Sequence, residues 1–103
     1  AIANDFGYDQ IFVRQLEALG KPGDIFFAIS TSGNSENLMK ALEWGRTNNL
    51  INVGLLGKGG GKMKDHCDVS IIVPSDNTQN IQEAHIMIIH ILCQKVDEVF
   101  TEK

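Results

Sequence analysis

Apolar residues recur at helical spacing from Tyr8 to Leu19, where Ile11, Phe12, Leu16 and Leu19 form one stripe and Gly20 with Pro22 closes the segment. This predicts a first helix. After Asp24 the pattern changes to the continuous apolar run Ile25 to Ile29, as expected of a strand covered on both faces in a parallel sheet. The polar, glycine-bearing turn Ser30 to Asn34 follows, and Leu38, Met39, Leu42 and Trp44 then mark an amphipathic helix from about Ser35 to Asn48. The alternation repeats. Ile51, Val53, Leu55 and Leu56 predict a second buried strand, Gly57 to Lys62 a glycine-rich turn, Met63 to His66 a single helical turn, and Val69 to Val73 a third strand. Pro74 stops that strand, Ser75 to Thr78 turn, and Asn80 to about Phe100 read as one long helix, apolar almost all round in its middle. A helix of that kind is expected to be buried within a larger assembly. Alternating strands and helices predict an α/β fold, a three-layer α/β/α sandwich around a parallel sheet.

With 103 residues, 43% hydrophobic and 21% charged, the chain fits a single domain spanning 1–103, with a thin margin of buried surface. It opens on Ala1 and AIANDFG without a preceding strand or helix signal, so we expect it to begin partway through a larger domain whose amino-terminal part is missing. The formal net charge of −4 argues against a nucleic-acid partner. No apolar stretch approaches the roughly 20 residues that cross a bilayer, and no signal peptide opens the chain, so no membrane partner is expected. Cys67 and Cys93 have neither CxxC spacing nor a disulfide framework around them, and a reducing cytoplasm is the default expectation.

The segment Ala28 to Asn37, AISTSGNSEN, carries the strongest chemical signal. Ligands of open α/β sheets bind at the carboxyl ends of strands, where a following helix offers unpaired N–H groups and partial positive charge. Ser30, Thr31, Ser32 and Ser35 add hydroxyls and Gly33 permits close backbone approach, so a phosphate can be held there without lysine or arginine. The plainer alternative is that Ser35 or Asn34 only caps the helix. Gly57 to Lys62 fails the phosphate-loop spacing, because Met63 follows Gly61-Lys62, and is read as a flexible turn from which Lys58 or Lys62 could approach an anion. Asn4 and Asp5 are either turn formers or ligands for sugar hydroxyls. On the last helix Gln82 and His90 share a broad face at about 80° and about 12 Å, while His85 is about 140° from His90 and is read as solvated or packed. His90, among Ile88, Ile89, Ile91 and Leu92, is either a hydrogen-bonded core residue or a general base or metal ligand.

The strings NDFGYDQIF, QLEALGKPGD, AISTSGNSEN, GKGGGKM, VPSDNT and IQEAHIMIIHILC together resemble the carboxyl-terminal half of the bacterial phosphoheptose isomerase family, whose members carry a sugar-isomerase (SIS) domain of flavodoxin-like strand order. The resemblance spans nearly the whole chain. It implies a cytoplasmic homotetramer that interconverts sedoheptulose 7-phosphate and D-glycero-D-manno-heptose 7-phosphate on the way to lipopolysaccharide heptose. By position, it implies that Ser30, Thr31, Ser32 and Ser35 hold the substrate phosphate and that Asn4, Asp5 and Gln82 contact substrate. It further implies that Gln82 and His90 are zinc ligands, one zinc per subunit with more ligands from the missing amino-terminal part, and that His90 serves as the catalytic acid–base group. An aldose–ketose isomerase needs those parts, because moving a proton between C1 and C2 takes a base, a polarised carbonyl and an anchor for the chain's register. Two unlike functions share the fold: a non-catalytic SIS protein such as the replication-initiator-associating relative, from which His90 distinguishes this chain, and a phosphosugar-sensing module joined to a DNA-binding domain, which nothing here supplies. These 103 residues alone are expected to be inactive.

Overall fold

A computed structural model of the chain describes residues 10–101. The elements are α1 (Ile11–Leu19), β1 (Ile25–Ser30), α2 (Glu36–Thr47), β2 (Ile51–Leu56), two 3-10 turns (Lys58–Gly60 and Lys62–His66), β3 (Val69–Ile72) and α3 (Thr78–Thr101). The three strands form one parallel sheet in the order β1-β2-β3, with Ile25 opposite Ile51 and Val53 opposite Val69. The α/β expectation holds, and the single turn expected at Met63 to His66 is the second 3-10 turn. The long helix starts two residues before the expected Asn80, where Asn77 Oδ1 accepts the Asn80 N–H at 3.0 Å within its first turn.

Side chains alternate across a strand, so the two faces of the sheet can be followed separately. Ala28 of β1 and Leu56 of β2 lie on one face and join Leu42 and Met63 in the core, with Phe26, Leu38, Met39 and Cys67 packed around them. That face belongs to α2. Asn52, only 1% exposed, ties the layers together: its Nδ2 donates to Leu42 O at 2.8 Å and to His66 O at 3.0 Å, and its backbone N–H donates to Asp68 Oδ2 at 2.7 Å. Gly45 makes this approach possible, since a Cβ there would stand 2.6 Å from Asn52 Oδ1. On the outer side of α2 packs α1, whose only buried residue is Val13.

The opposite face is different. Leu55 is fully buried there, but Ile25, Ile51 and Val69 at the amino-terminal ends of the strands, and Ile29 nearer the carboxyl end of β1, are exposed, so among the described residues the expected cover on both faces is incomplete. Among the described elements, α3 meets this side at the carboxyl edge, and of its 24 residues Ile81 and His85 alone are buried. The middle of α3, expected to be enclosed, leaves Ile86, Met87, Ile91, Leu92, Val96, Val99 and Phe100 exposed within the chain. Its apolar surface outruns the sheet available to cover it.

Candidate functional site

The serine loop leaves β1 at Ser30 and enters α2 at Glu36. Ser30 is buried and its Oγ accepts the Gly33 N–H at 3.1 Å, while Ser32 Oγ accepts the Asn34 N–H at 3.1 Å. These two bonds curl the loop into a tight turn, with Gly33 at φ +71°. Ser35 occupies the cap position but no side chain caps the helix; its hydroxyl donates instead to Asn37 Oδ1. The plain capping alternative therefore does not account for Ser35, and the first amides of α2 keep the donors a helix start leaves without intrahelical partners. Ser32 is exposed, Thr31 and Ser35 are half-buried, and all sit at the carboxyl edge of the sheet. A loop of hydroxyls around a helix amino terminus can hold an oxyanion by hydrogen bonds alone.

The glycine-rich turn is the seat of this loop rather than a second phosphate loop. Met63 N–H donates to Gly33 O at 2.8 Å and Lys62 N–H to Asn34 Oδ1 at 2.9 Å, so two loops from separate strand ends are stitched together. A Cβ on Gly33 would stand 2.2 Å from Gly60 O, and one on Gly61 would stand 2.6 Å from Gly33 O. Gly59, Gly60 and Gly61 all have positive φ, a path open to glycine and costly to most other residues. Backbone packs on backbone here. Lys62 is thereby fixed beside the serine loop, with its side chain exposed.

Beside the loop lies an open groove of about 390 Å³ lined by Ile29, Thr31, Gln82, His85, Ile86 and Ile89. Thus Thr31 and Gln82, both expected at the site, share one groove, walled on the other side by α3. His85, read from the sequence as solvated or packed, is packed: it is 3% exposed, with Nε2 2.8 Å from Leu56 O. Its place on the groove wall was missed, although Gln82 and His85 are about 60° and about 4.5 Å apart on a helix and so face the same way. His90 is exposed and is not among the groove-lining residues. Asn4 and Asp5 lie outside the described residues.

No cluster of three or more histidine, cysteine, aspartate or glutamate side chains that could hold a metal occurs among the described residues. Gln82 borders the groove and His90 does not, so these two side chains alone do not fit a zinc centre, which takes at least three protein ligands. Cys67 is half-buried, and desolvation by its surroundings pushes its thiol above the ordinary range, so it is a poor nucleophile or metal ligand.

No protein-family model matches the chain. Among curated proteins, a phosphoheptose isomerase from Nitratiruptor sp. is 52% identical over 100 residues, covering 97% of this chain and 54% of that protein. One from Helicobacter pylori is 50% identical over all 103 residues, again 54% of the relative. Among solved structures, phosphoheptose isomerases from Francisella tularensis and Neisseria gonorrhoeae each superpose with a TM-score of 0.90 at 40% identity, covering 94% of this chain and 54% of theirs. The chain spans about half the length of the curated relatives it matches.

Proposed function

We propose, from the premise that this chain is a homologue of the phosphoheptose isomerases, that it supplies the phosphate-holding, carboxyl-terminal part of an enzyme interconverting sedoheptulose 7-phosphate and D-glycero-D-manno-heptose 7-phosphate. The observation that carries this reading is the serine loop, folded by its own hydroxyls at the start of an uncapped helix and opening beside a groove that contains Gln82. In the proposed complex the amides of α2 and the hydroxyls of Thr31 and Ser32 take the 7-phosphate, joined by Ser35 once its hydroxyl turns from Asn37 Oδ1 to the anion, which fixes the register of the sugar chain. Ser30 acts from beneath: its Oγ accepts the Gly33 N–H and shapes the loop. Gln82, on the groove wall, is proposed to hydrogen-bond the sugar, with Asn4 and Asp5 as further sugar contacts.

His90 is proposed as the group that moves the proton between C1 and C2. Its exposure leaves the imidazole accessible to a site that, on this proposal, takes further groups than the described residues supply. Zinc belongs to the same proposal only with further ligands, since the described residues do not fit it unaided. We also propose a homotetramer, for which the exposed apolar residues of α3 offer the surface. Cytoplasmic residence accords with two free cysteines and with the absence, among the described residues, of any helix long and apolar enough to cross a membrane. The test is turnover of sedoheptulose 7-phosphate by the intact protein, compared with His90→Ala. We expect His90→Ala to lower kcat by about 100-fold or more, the usual worth of a positioned acid–base group, with KM little changed. Unchanged turnover would remove His90 from the mechanism.

A further inference from the structure

The helix α3 meets the sheet through one short stretch, and what fixes its rotation there decides which side chains face the groove. Ile81 and His85, about one turn apart, are its two buried residues. Ile81 sets the separation: a Cβ on Gly57 would stand 2.6 Å from both its Cδ1 and Cγ2, so the helix rests directly on the backbone leaving β2. His85 sets the rotation. Its Nε2 lies 2.8 Å from Leu56 O, and because a carbonyl can only accept, Nε2 must carry the proton. The same carbonyl accepts the Val73 N–H at 3.0 Å, so both of its lone pairs are used and the ends of β2 and β3 and the helix meet at one atom. Leu56 pairs in register with Ser30, the residue from which the serine loop departs. Gln82 lies on the turn between Ile81 and His85 and opens into the groove that Thr31 also lines.

We infer that His85 is a positioning residue for the sugar-phosphate site: its hydrogen bond to the Leu56 carbonyl holds α3 in the rotation that sets Gln82 across the groove from Thr31. Burial alone would be met at this position by leucine or isoleucine, the kind of residue found nearby at Ile81, Ile88 and Ile89. A buried imidazole is unfavourable unless bonded, and the bond it makes is directional where apolar packing is not. His85 thus acts through Gln82 rather than on the reacting carbons. This inference rests on the function proposed above.

The experiment compares the intact parent protein with His85→Leu, His85→Gln and His85→Asn, reading KM and kcat for sedoheptulose 7-phosphate together with the melting temperature. Glutamine can place an N–H near the position of Nε2, whereas asparagine is too short to reach Leu56 O. We expect KM to rise about tenfold in the leucine and asparagine variants, to stay within about threefold of the parent in the glutamine variant, and kcat to move less than KM. A lowered melting temperature with KM unchanged in the asparagine variant would overturn the inference and leave His85 a packing residue. If the parent fails to turn over the substrate, the proposed function falls first, and a crystal structure of the asparagine variant then decides: Gln82 displaced from Thr31 supports the positioning role, and Gln82 in place refutes it.

Discussion

The two helices that flank the sheet, α2 with one apolar stripe and α3 apolar over most of its middle, meet different fates. In α2 the residues Ala41, Leu42 and Gly45 are buried, and the stripe is consumed by the core formed with Ala28, Leu56 and Met63. In α3, twice as long, burial stops after His85, and Met87 and Phe100 remain 65% and 70% exposed. One helix is used to build this chain's fold, and the other leaves most of its apolar surface uncovered among the described residues. The groove lies where the two regimes join: its serine loop is held by the packed unit, and its Gln82 by the single buried turn of α3.

The contrast has a direct energetic form. Replacing Leu42, fully buried, by alanine should cost about 2–5 kcal/mol, while Val96→Ala on exposed α3 should cost less than about 0.5 kcal/mol in the dissociated chain. Urea unfolding of the two variants measures both, and similar losses would mean that α3 is packed within the chain after all. Gly33→Ala comes next, because the site depends on the packed unit. Its φ of +71° and the Gly60 carbonyl in the path of a Cβ predict about 1–3 kcal/mol of lost stability together with displacement of the serine loop. A variant of parental stability that still binds sugar phosphate would show that the two loops are not seated as described.

The smallest effect separates the regions by reactivity. Cys67 belongs to the packed unit, where burial pushes its thiol up, and Cys93 stands exposed on α3. A raised thiol keeps Cys67 protonated near pH 8 and slow towards an alkylating reagent in every state of assembly. Cys93 should react at least about tenfold faster than Cys67 in the dissociated protein, and the proposed association over α3 predicts that it slows down on assembly. Equal rates at both positions on dilution would remove the distinction.

How much of this could be read from the residues follows the same division. The strands, the serine loop and α2 were readable because their apolar runs and their turn chemistry point to one structure. The continuous runs Ile25 to Ile29 and Ile51 to Leu56 also stated that both faces of the sheet need cover, but a run of apolar residues does not say what supplies it, and Ile25, Ile29 and Ile51 stay exposed. The glycine-rich turn was read as flexible because its spacing fitted no phosphate loop. Its actual role depends on a partner 27 or more residues earlier in the chain, Gly33 against Gly60 and Asn34 against Lys62, which local spacing cannot reveal. The roughly 140° between His85 and His90 hides the relation that matters, the roughly 60° between His85 and Gln82 that puts both on the groove.

The serine loop as the cradle of a sugar phosphate is the claim on which the rest depends, and calorimetric titration of sedoheptulose 7-phosphate into the intact protein and its Ser32→Ala variant tests it most directly. Removing one hydroxyl that bonds a charged phosphate should weaken binding by about tenfold or more while the melting temperature stays near that of the parent. Equal affinity in the two proteins, or no binding to either, would contradict it.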